Sequence, residues 1–129
     1  MSDLPPPSPL LAIEREHHGI ALVVRVKGEI DLSTAPEVER HVQDALDSLV
    51  PPAPLVLDLS EVAFLGSCGL ALLASSTERA AARGTPLRVV ARQRAISRPV
   101  EAVGLDDTLV LHPSLEAALR ADEEAPGGR

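Results

Sequence analysis

Two potential nucleophiles, Ser67 and Cys68, lie in a run of four small residues, Gly-Ser-Cys-Gly at positions 66–69. Helical spacing begins directly after this run, so we expect the Ser67 hydroxyl near the free backbone N–H groups of a first helical turn. Three roles are open for Ser67: helix N-cap, nucleophile of a hydrolase elbow, or acceptor of a phosphate. The elbow needs G-x-S-x-G, and Leu65 occupies the place of its first glycine. A phosphate would be compatible with the fold, because a helix N-terminus favours negative charge.

The elements around this run are predicted to be a buried strand and a helix. The strand begins at Leu55 as an apolar run, and polar residues at 58, 60 and 61 interrupt it. The helix begins near Ser67 and ends at Gly84, a residue typical of helix C-termini. Its apolar positions follow the helical spacing i, i+3, i+4, i+7, i+11. They are Leu70, Leu73, Ala74, Thr77 and Ala81.

Strands and helices alternate along the rest of the chain. Further strands are predicted at residues 10–16, 20–26, 87–91 and 108–111, with a His17-His18-Gly19 turn between the first two. Further helices are predicted to begin after Thr34 and at 95–103 and 114–119. The order β-β-α-β-α-β-α-β-α predicts an α/β domain with a mainly parallel sheet and an antiparallel N-terminal edge strand.

The helix after residue 34 has a start signal and an apolar stripe. Thr34 and Glu37 match a capping box, with Thr34 as N-cap and Glu37 three residues later. The stripe contains Val38, Val42, Ala45, Leu46 and Leu49.

Length and composition favour one intracellular domain. The chain has 129 residues, and we expect a single domain at 10–121, a disordered proline-rich leader at 1–9 and a flexible tail at 122–129. The net charge of −7 and the absence of Trp and Tyr argue against a nucleic-acid partner. A single cysteine allows no internal disulfide, which is typical of the reducing cytoplasm. We find neither a membrane span nor a signal peptide. The pair His17 and His18 lacks the further ligands that a metal site needs.

Two motifs resemble those of the STAS domain family, and of bacterial anti-sigma factor antagonists in particular. They are DLSxVxFLxSxGL at 58–70 and GEIDxxT at 28–34. The resemblance covers residues 10–121 and implies that Ser67 is phosphorylated by a kinase that is also an anti-sigma factor. It further implies a partner surface formed by Asp31, Thr34, Gly66, Ser67, Cys68 and Gly69. The family usually has Asp at the place of Gly66, and Ser or Thr at the place of Cys68.

The function expected from this resemblance is binding, with no catalysis and no cofactor. The unphosphorylated protein would sequester an anti-sigma factor in the cytoplasm, and phosphate on Ser67 would break the complex. The alternative is a STAS subunit of a stress-signalling or lipid-transport assembly, in which Ser67 only caps a helix. A third hypothesis, an enzyme with Ser67 or Cys68 as nucleophile, lacks any sequence sign of a paired base.

Overall fold

Five strands form one mixed sheet in the spatial order β1-β2-β3-β4-β5. In the computed structural model, which describes residues 11–121, the strands are β1 (Leu11–His18), β2 (Ala21–Ile30), β3 (Leu55–Leu65), β4 (Leu87–Val90) and β5 (Leu111–His112). β1 pairs with β2 in antiparallel fashion, and every other neighbouring pair is parallel. The predicted α/β class with an antiparallel edge strand is confirmed. The predicted leader at 1–9 and tail at 122–129 lie outside the described residues.

Four helices connect or follow the strands, as the alternating pattern predicts. They are α1 (Ala35–Ser48), α2 (Ser67–Arg83), α3 (Arg94–Ala102) and α4 (Leu115–Leu119). A single 3-10 turn, Leu105–Asp107, follows α3. Among residues 11–121, none of the helices is both long enough and apolar enough to cross a membrane.

The two faces of the sheet are covered unequally. The larger apolar core lies between one face and helices α1, α2 and α3, and it includes Leu57 from the central strand β3. On the other face, Val23, Val56 and Val90 of adjacent strands pack with Ala118 of α4. Since β3 is apolar on both faces, its first half is the near-continuous hydrophobic run expected of a buried parallel strand.

Helix α2 buries a different stripe from the predicted one. Its buried residues are Gly69, Leu72, Leu73, Ser76 and Ala80, so only Leu73 is common to both sets. The physical reason is that the side facing the sheet is lined partly by small residues, which allow close approach but contribute little to an apolar periodicity. The stripe predicted for α1 is confirmed except at its end: Leu49 is half-buried, and Ala35 is buried instead.

Several element boundaries also differ from the predictions. β2 continues to Ile30, because its pairing with β3 continues through a register shift at Gly28. His17 and His18 belong to β1, and the hairpin turn lies at Gly19, whose φ of 62° is left-handed and favours glycine. The last strand is Leu111–His112, later than the predicted 108–111.

Candidate functional site

The carboxyl ends of β2 and β3 meet at one point, which brings two distant loops together. Ile30 and Leu65 are the last paired residues of these strands. The Gly66 N–H then donates to the Ile30 carbonyl oxygen at 2.9 Å. The loop of residues 31–34, here called the Asp31 loop, therefore begins beside the run of residues 66–69, here called the Ser67 corner. All six residues of the predicted partner surface lie in these two segments.

Side-chain hydrogen bonds hold the Asp31 loop. The Asp31 Oδ1 atom accepts hydrogen bonds from the Ser33 hydroxyl at 2.8 Å, from the Ser33 N–H at 3.0 Å and from the Thr34 N–H at 3.1 Å. The buried Thr34 hydroxyl donates to the Glu29 carbonyl oxygen at 2.7 Å and accepts from the Asp31 N–H at 2.9 Å. Five hydrogen bonds among four neighbouring residues thus fix the shape of the loop.

These hydrogen bonds also act on the charge of Asp31. Donation by the Ser33 hydroxyl, and then by the Thr34 and Ser33 N–H groups, lowers the pKa of the Asp31 carboxyl below its ordinary value. Asp31 therefore stays ionised at neutral pH and presents a fixed negative charge at the site.

The predicted capping box at Thr34 is wrong, although the helix does begin there. Thr34 is the N-cap of α1, but its side chain makes no capping hydrogen bond. Its hydroxyl is already engaged with Glu29 and Asp31, so it is not available to the Glu37 N–H, which donates instead to the Thr34 carbonyl oxygen. The Thr34 hydroxyl therefore holds the Asp31 loop, and it does not form the capping hydrogen bond that the sequence predicted.

Ser67 is the first residue of α2, so the N-cap role, one of the three left open for it, is excluded. The N-cap is Gly66, with φ of −84° and ψ of −177°, and its carbonyl oxygen accepts from the Leu70 N–H at 3.1 Å. β3 continues without a break to Leu65, so only Gly66 is left to make the transition from strand to helix. Ser67 is exposed, and within residues 11–121 its hydroxyl has no hydrogen-bond partner.

The glycines on either side of Ser67 have different structural roles. A Cβ atom at Gly69 would lie 3.0 Å from Ile30 Cγ2 and would overlap the Leu65 side chain, so glycine lets α2 approach the strand ends. A Cβ atom at Gly66 would meet mainly the Phe64 ring, with Cε2 at 3.2 Å. The Gly66 backbone is extended and suits any residue, so the Asp usual in the family could occupy this N-cap position.

Cys68 and Ser67 have no catalytic partner in the described part of the chain. The Cys68 thiol is free and half-buried, and it packs against the main core as a small apolar group. No described histidine or carboxylate hydrogen-bonds to either residue. Within residues 11–121, no cluster of three His, Cys, Asp or Glu side chains could hold a metal ion.

Two exposed apolar side chains adjoin the site. The sequence analysis did not predict that they are exposed there. Leu32 in the Asp31 loop is 79% exposed, and Phe64 beside Gly66 is 50% exposed. Phe64 is the only aromatic residue of the chain. Its position two residues before Gly66, in a chain with no other aromatic residue, was the available signal.

An ion pair between the middles of β2 and β3 was also missed. Asp58 of β3 is 4% exposed, and its Oδ2 atom accepts from Arg25 Nε of β2 at 3.2 Å. Arg25 also donates to Glu16 of β1 at 3.1 Å, so this network ties three strands together. The signal was a carboxylate inside an apolar strand run, because a buried charge requires a partner.

The match to known proteins settles the family. Residues 12–118 match the family model described as STAS domain. The chain belongs to the STAS domain family. Its fold positions the two family motifs as neighbouring strand ends and the loops that follow them.

Two proteins similar to this STAS domain come from mycobacteria. It is 37% identical over 116 residues to the anti-sigma-F factor antagonist RsfA of Mycobacterium tuberculosis, which covers 90% of this chain and 91% of RsfA. A crystal structure of an anti-sigma factor antagonist from Mycobacterium paratuberculosis is 41% identical, with a TM-score of 0.80 over 88% of this chain and 95% of the other. The Bacillus cell fate determinant SpoIIAA, solved in its phosphorylated form, shares the fold at 16% identity. Its TM-score is 0.64 over 85% of this chain and 99% of SpoIIAA.

Proposed function

We propose that this STAS domain is a cytoplasmic anti-sigma factor antagonist, which binds an anti-sigma factor that is also a serine kinase. The names of its two mycobacterial relatives support antagonism. The observation that most supports a switch is the exposed hydroxyl of Ser67 at the first residue of α2, next to the Asp31 loop. An exposed hydroxyl with no internal partner can enter a kinase active site without loss of a structural hydrogen bond.

In this proposal the partner binds the Asp31 loop and the Ser67 corner together. The ordered loop would lose little conformational entropy on binding, since its hydrogen bonds already fix it. Leu32 and Phe64 would supply apolar contacts beside the polar centre, as large side chains do in protein interfaces. Gly66 would allow close approach of the partner, while Cys68 and Gly69, which pack inward, would hold the corner in place beneath it.

Phosphorylation would release the partner through charge and desolvation. The Ser67 oxygen attacks the γ-phosphorus of ATP held by the kinase, ADP leaves, and the hydroxyl proton passes to the kinase. The product carries about −1.5 to −2 charge at neutral pH. This charge would lie near the ionised Asp31, repel an acidic partner surface and desolvate poorly in an interface. The phosphorylated form of SpoIIAA supports the compatibility of the fold with a phosphate. ATP would belong to the kinase, so the domain needs no cofactor of its own.

The direct test is phosphorylation by purified anti-sigma factors of the source organism. The domain and its Ser67→Ala variant are incubated with each factor and ATP, and intact mass and peptide mapping locate any phosphate. We expect one phosphate on the natural protein, at Ser67, and none on the variant.

Two results would contradict this function. Phosphate on Ser60 or Ser75 with Ser67 unmodified would exclude the proposed switch. Absence of both phosphorylation and binding with every anti-sigma factor would leave the alternative, a STAS subunit of another assembly.

A further inference from the structure

Three arginines are concentrated at the start of α3, and their guanidinium groups have no partners among residues 11–121. Arg92 precedes the helix, Arg94 is its first residue and Arg98 lies one turn later. All three are exposed, and none forms an ion pair or side-chain hydrogen bond with another residue of 11–121. By contrast, Arg79 and Arg83 of α2 pair with Glu39 and Asp47 of α1. We call Arg92, Arg94 and Arg98 the arginine patch.

The framework under the arginine patch is fixed against the second half of β3. The Gln93 side-chain amide, between Arg92 and Arg94, donates to the carbonyl oxygens of Leu59 and Val62 at 2.8 Å each. Ile96 and Val100 of α3 are fully buried in the main core. The helix start is thus held beside Leu59 and Val62 of β3, the strand that leads into Ser67. The patch follows the carboxyl end of β4, which is parallel to β3 and ends opposite Asp58, whereas β3 continues to Leu65.

The arginine patch does not serve the stability of α3. The N-terminus of a helix favours acidic residues and disfavours cations, yet the first turn of α3 contains Arg94 and no acidic residue. Arg94 and Arg98 are also four residues apart, the spacing at which like charges on a helix repel each other. The chain as a whole has 19 acidic residues against 12 basic ones, yet no acidic residue within 11–121 pairs with any of these three cations. Residues that destabilise the helix to which they belong are expected to have a function.

We propose that the arginine patch is a docking surface for an acidic segment of the protein partner. Guanidinium groups recognise carboxylates in bidentate geometry, and an uncompensated positive surface is complementary to a carboxylate-rich one. A protein is the occupant favoured here, because the overall negative charge opposes nucleic acid. The inference rests on the proposed function, which identifies the partner as an anti-sigma factor. It extends the surface of the domain that contacts this partner beyond the two family motifs.

The test is charge reversal, measured by titration calorimetry against the anti-sigma factor that binds the natural protein. The triple variant Arg92→Glu, Arg94→Glu, Arg98→Glu should bind at least about tenfold more weakly, and its affinity should depend less on salt concentration. The single variant Arg94→Glu should bind about threefold more weakly. The melting temperature of both variants should equal or exceed that of the natural protein, since a carboxylate at a helix start is favourable. Weaker binding would then not reflect unfolding.

The matched control is Arg15→Glu, which reverses another exposed arginine, on the edge strand β1, that has no ion-pair partner in the described part of the chain. It changes the net charge as much as Arg94→Glu does, and its affinity should stay within about twofold of the natural protein.

The possible results separate this inference from the proposed function. Unchanged affinity of the triple variant would overturn the docking surface while antagonism stands, and an equal effect of Arg15→Glu would overturn it as a general charge effect. If no anti-sigma factor binds the natural protein, both proposals fail. Binding of a short DNA duplex that the triple variant loses, with no change towards the anti-sigma factor, would overturn the protein occupant.

Discussion

The Asp31 loop and the Ser67 corner adjoin the same pair of strand ends, but different forces hold them. In the Asp31 loop, the Asp31 carboxylate and the Thr34 hydroxyl make the hydrogen bonds that define the backbone. In the Ser67 corner, no side chain caps the helix, and the shape depends on backbone hydrogen bonds and on the absence of a side chain at Gly69. The Ser67 side chain therefore makes no hydrogen bond that supports the fold, although the backbone around it is fixed. A site of reversible modification requires both properties.

If packing holds the Ser67 corner, Gly69→Ala should have the largest effect on stability. The added methyl group would meet Leu65 and Ile30 in a packed core, and we expect unfolding free energy to fall by about 2–3 kcal/mol. Chemical denaturation measures this. Gly66→Ala is the matched control, since its methyl group would meet chiefly the half-exposed Phe64 ring, which can move. Equal losses in the two variants would show that Gly69 has no special packing role.

If side-chain hydrogen bonds hold the Asp31 loop, Thr34→Val should have the next largest effect. The variant keeps the shape of this buried side chain but leaves the Glu29 carbonyl oxygen and the Asp31 N–H without their partner. We expect a loss of about 1–2 kcal/mol in unfolding free energy. Thr34→Ser retains the hydroxyl and should preserve most of the stability. A Val variant as stable as the Ser variant would refute the role of the hydroxyl.

The charge of Asp31 gives the loop a pH dependence that the corner lacks. Its pKa is lowered in the folded state, so its contribution to stability is present above the ordinary carboxyl pKa of about 3.9 and is lost as pH falls through the lower folded value. Asp31→Asn should therefore be less stable than the natural protein at neutral pH, and the difference should shrink as pH falls below the ordinary carboxyl pKa of about 3.9. Thermal unfolding across this range tests the sign. A difference that is constant with pH would mean that the charge of Asp31 makes no contribution.

Ser67→Ala should have the smallest effect on stability. The hydroxyl caps nothing, because Gly66 is the N-cap, so we expect unfolding free energy within about 0.5 kcal/mol of the natural protein. A true N-cap serine would cost about 0.5–2 kcal/mol on the same change. A loss of more than about 1 kcal/mol in denaturation would restore the capping role.

The order of elements and the convergence of the two loops were predictable, because apolar periodicity and motif spacing are local properties. The exact helix start was not predictable. Whether Gly66 or Ser67 caps α2 depends on how far β3 remains paired to β2, which is a tertiary property. The role of Thr34 was missed for the same reason, since its hydroxyl bonds to Glu29 across a loop rather than to its own helix.

Charge partners were the other feature that the sequence could not determine. Arg25 and Asp58 are 33 residues apart, and only strand pairing places them in contact. The arginine patch has the opposite character: its residues are close in sequence, but their lack of partners becomes evident only when the surrounding residues are placed.

The measurement that most directly tests the central claim is titration of the anti-sigma factor with the natural protein, Ser67→Ala and Ser67→Glu. We predict that the Ala variant binds like the unphosphorylated natural protein and that ATP has no effect on its binding. The Glu variant should bind more weakly by about 2–5 kcal/mol, the range for a buried unpaired charge in an interface. The melting temperatures of all three proteins should agree closely. Equal affinity of the Ser, Ala and Glu forms would contradict the phosphorylation switch and leave Ser67 without a role in partner binding.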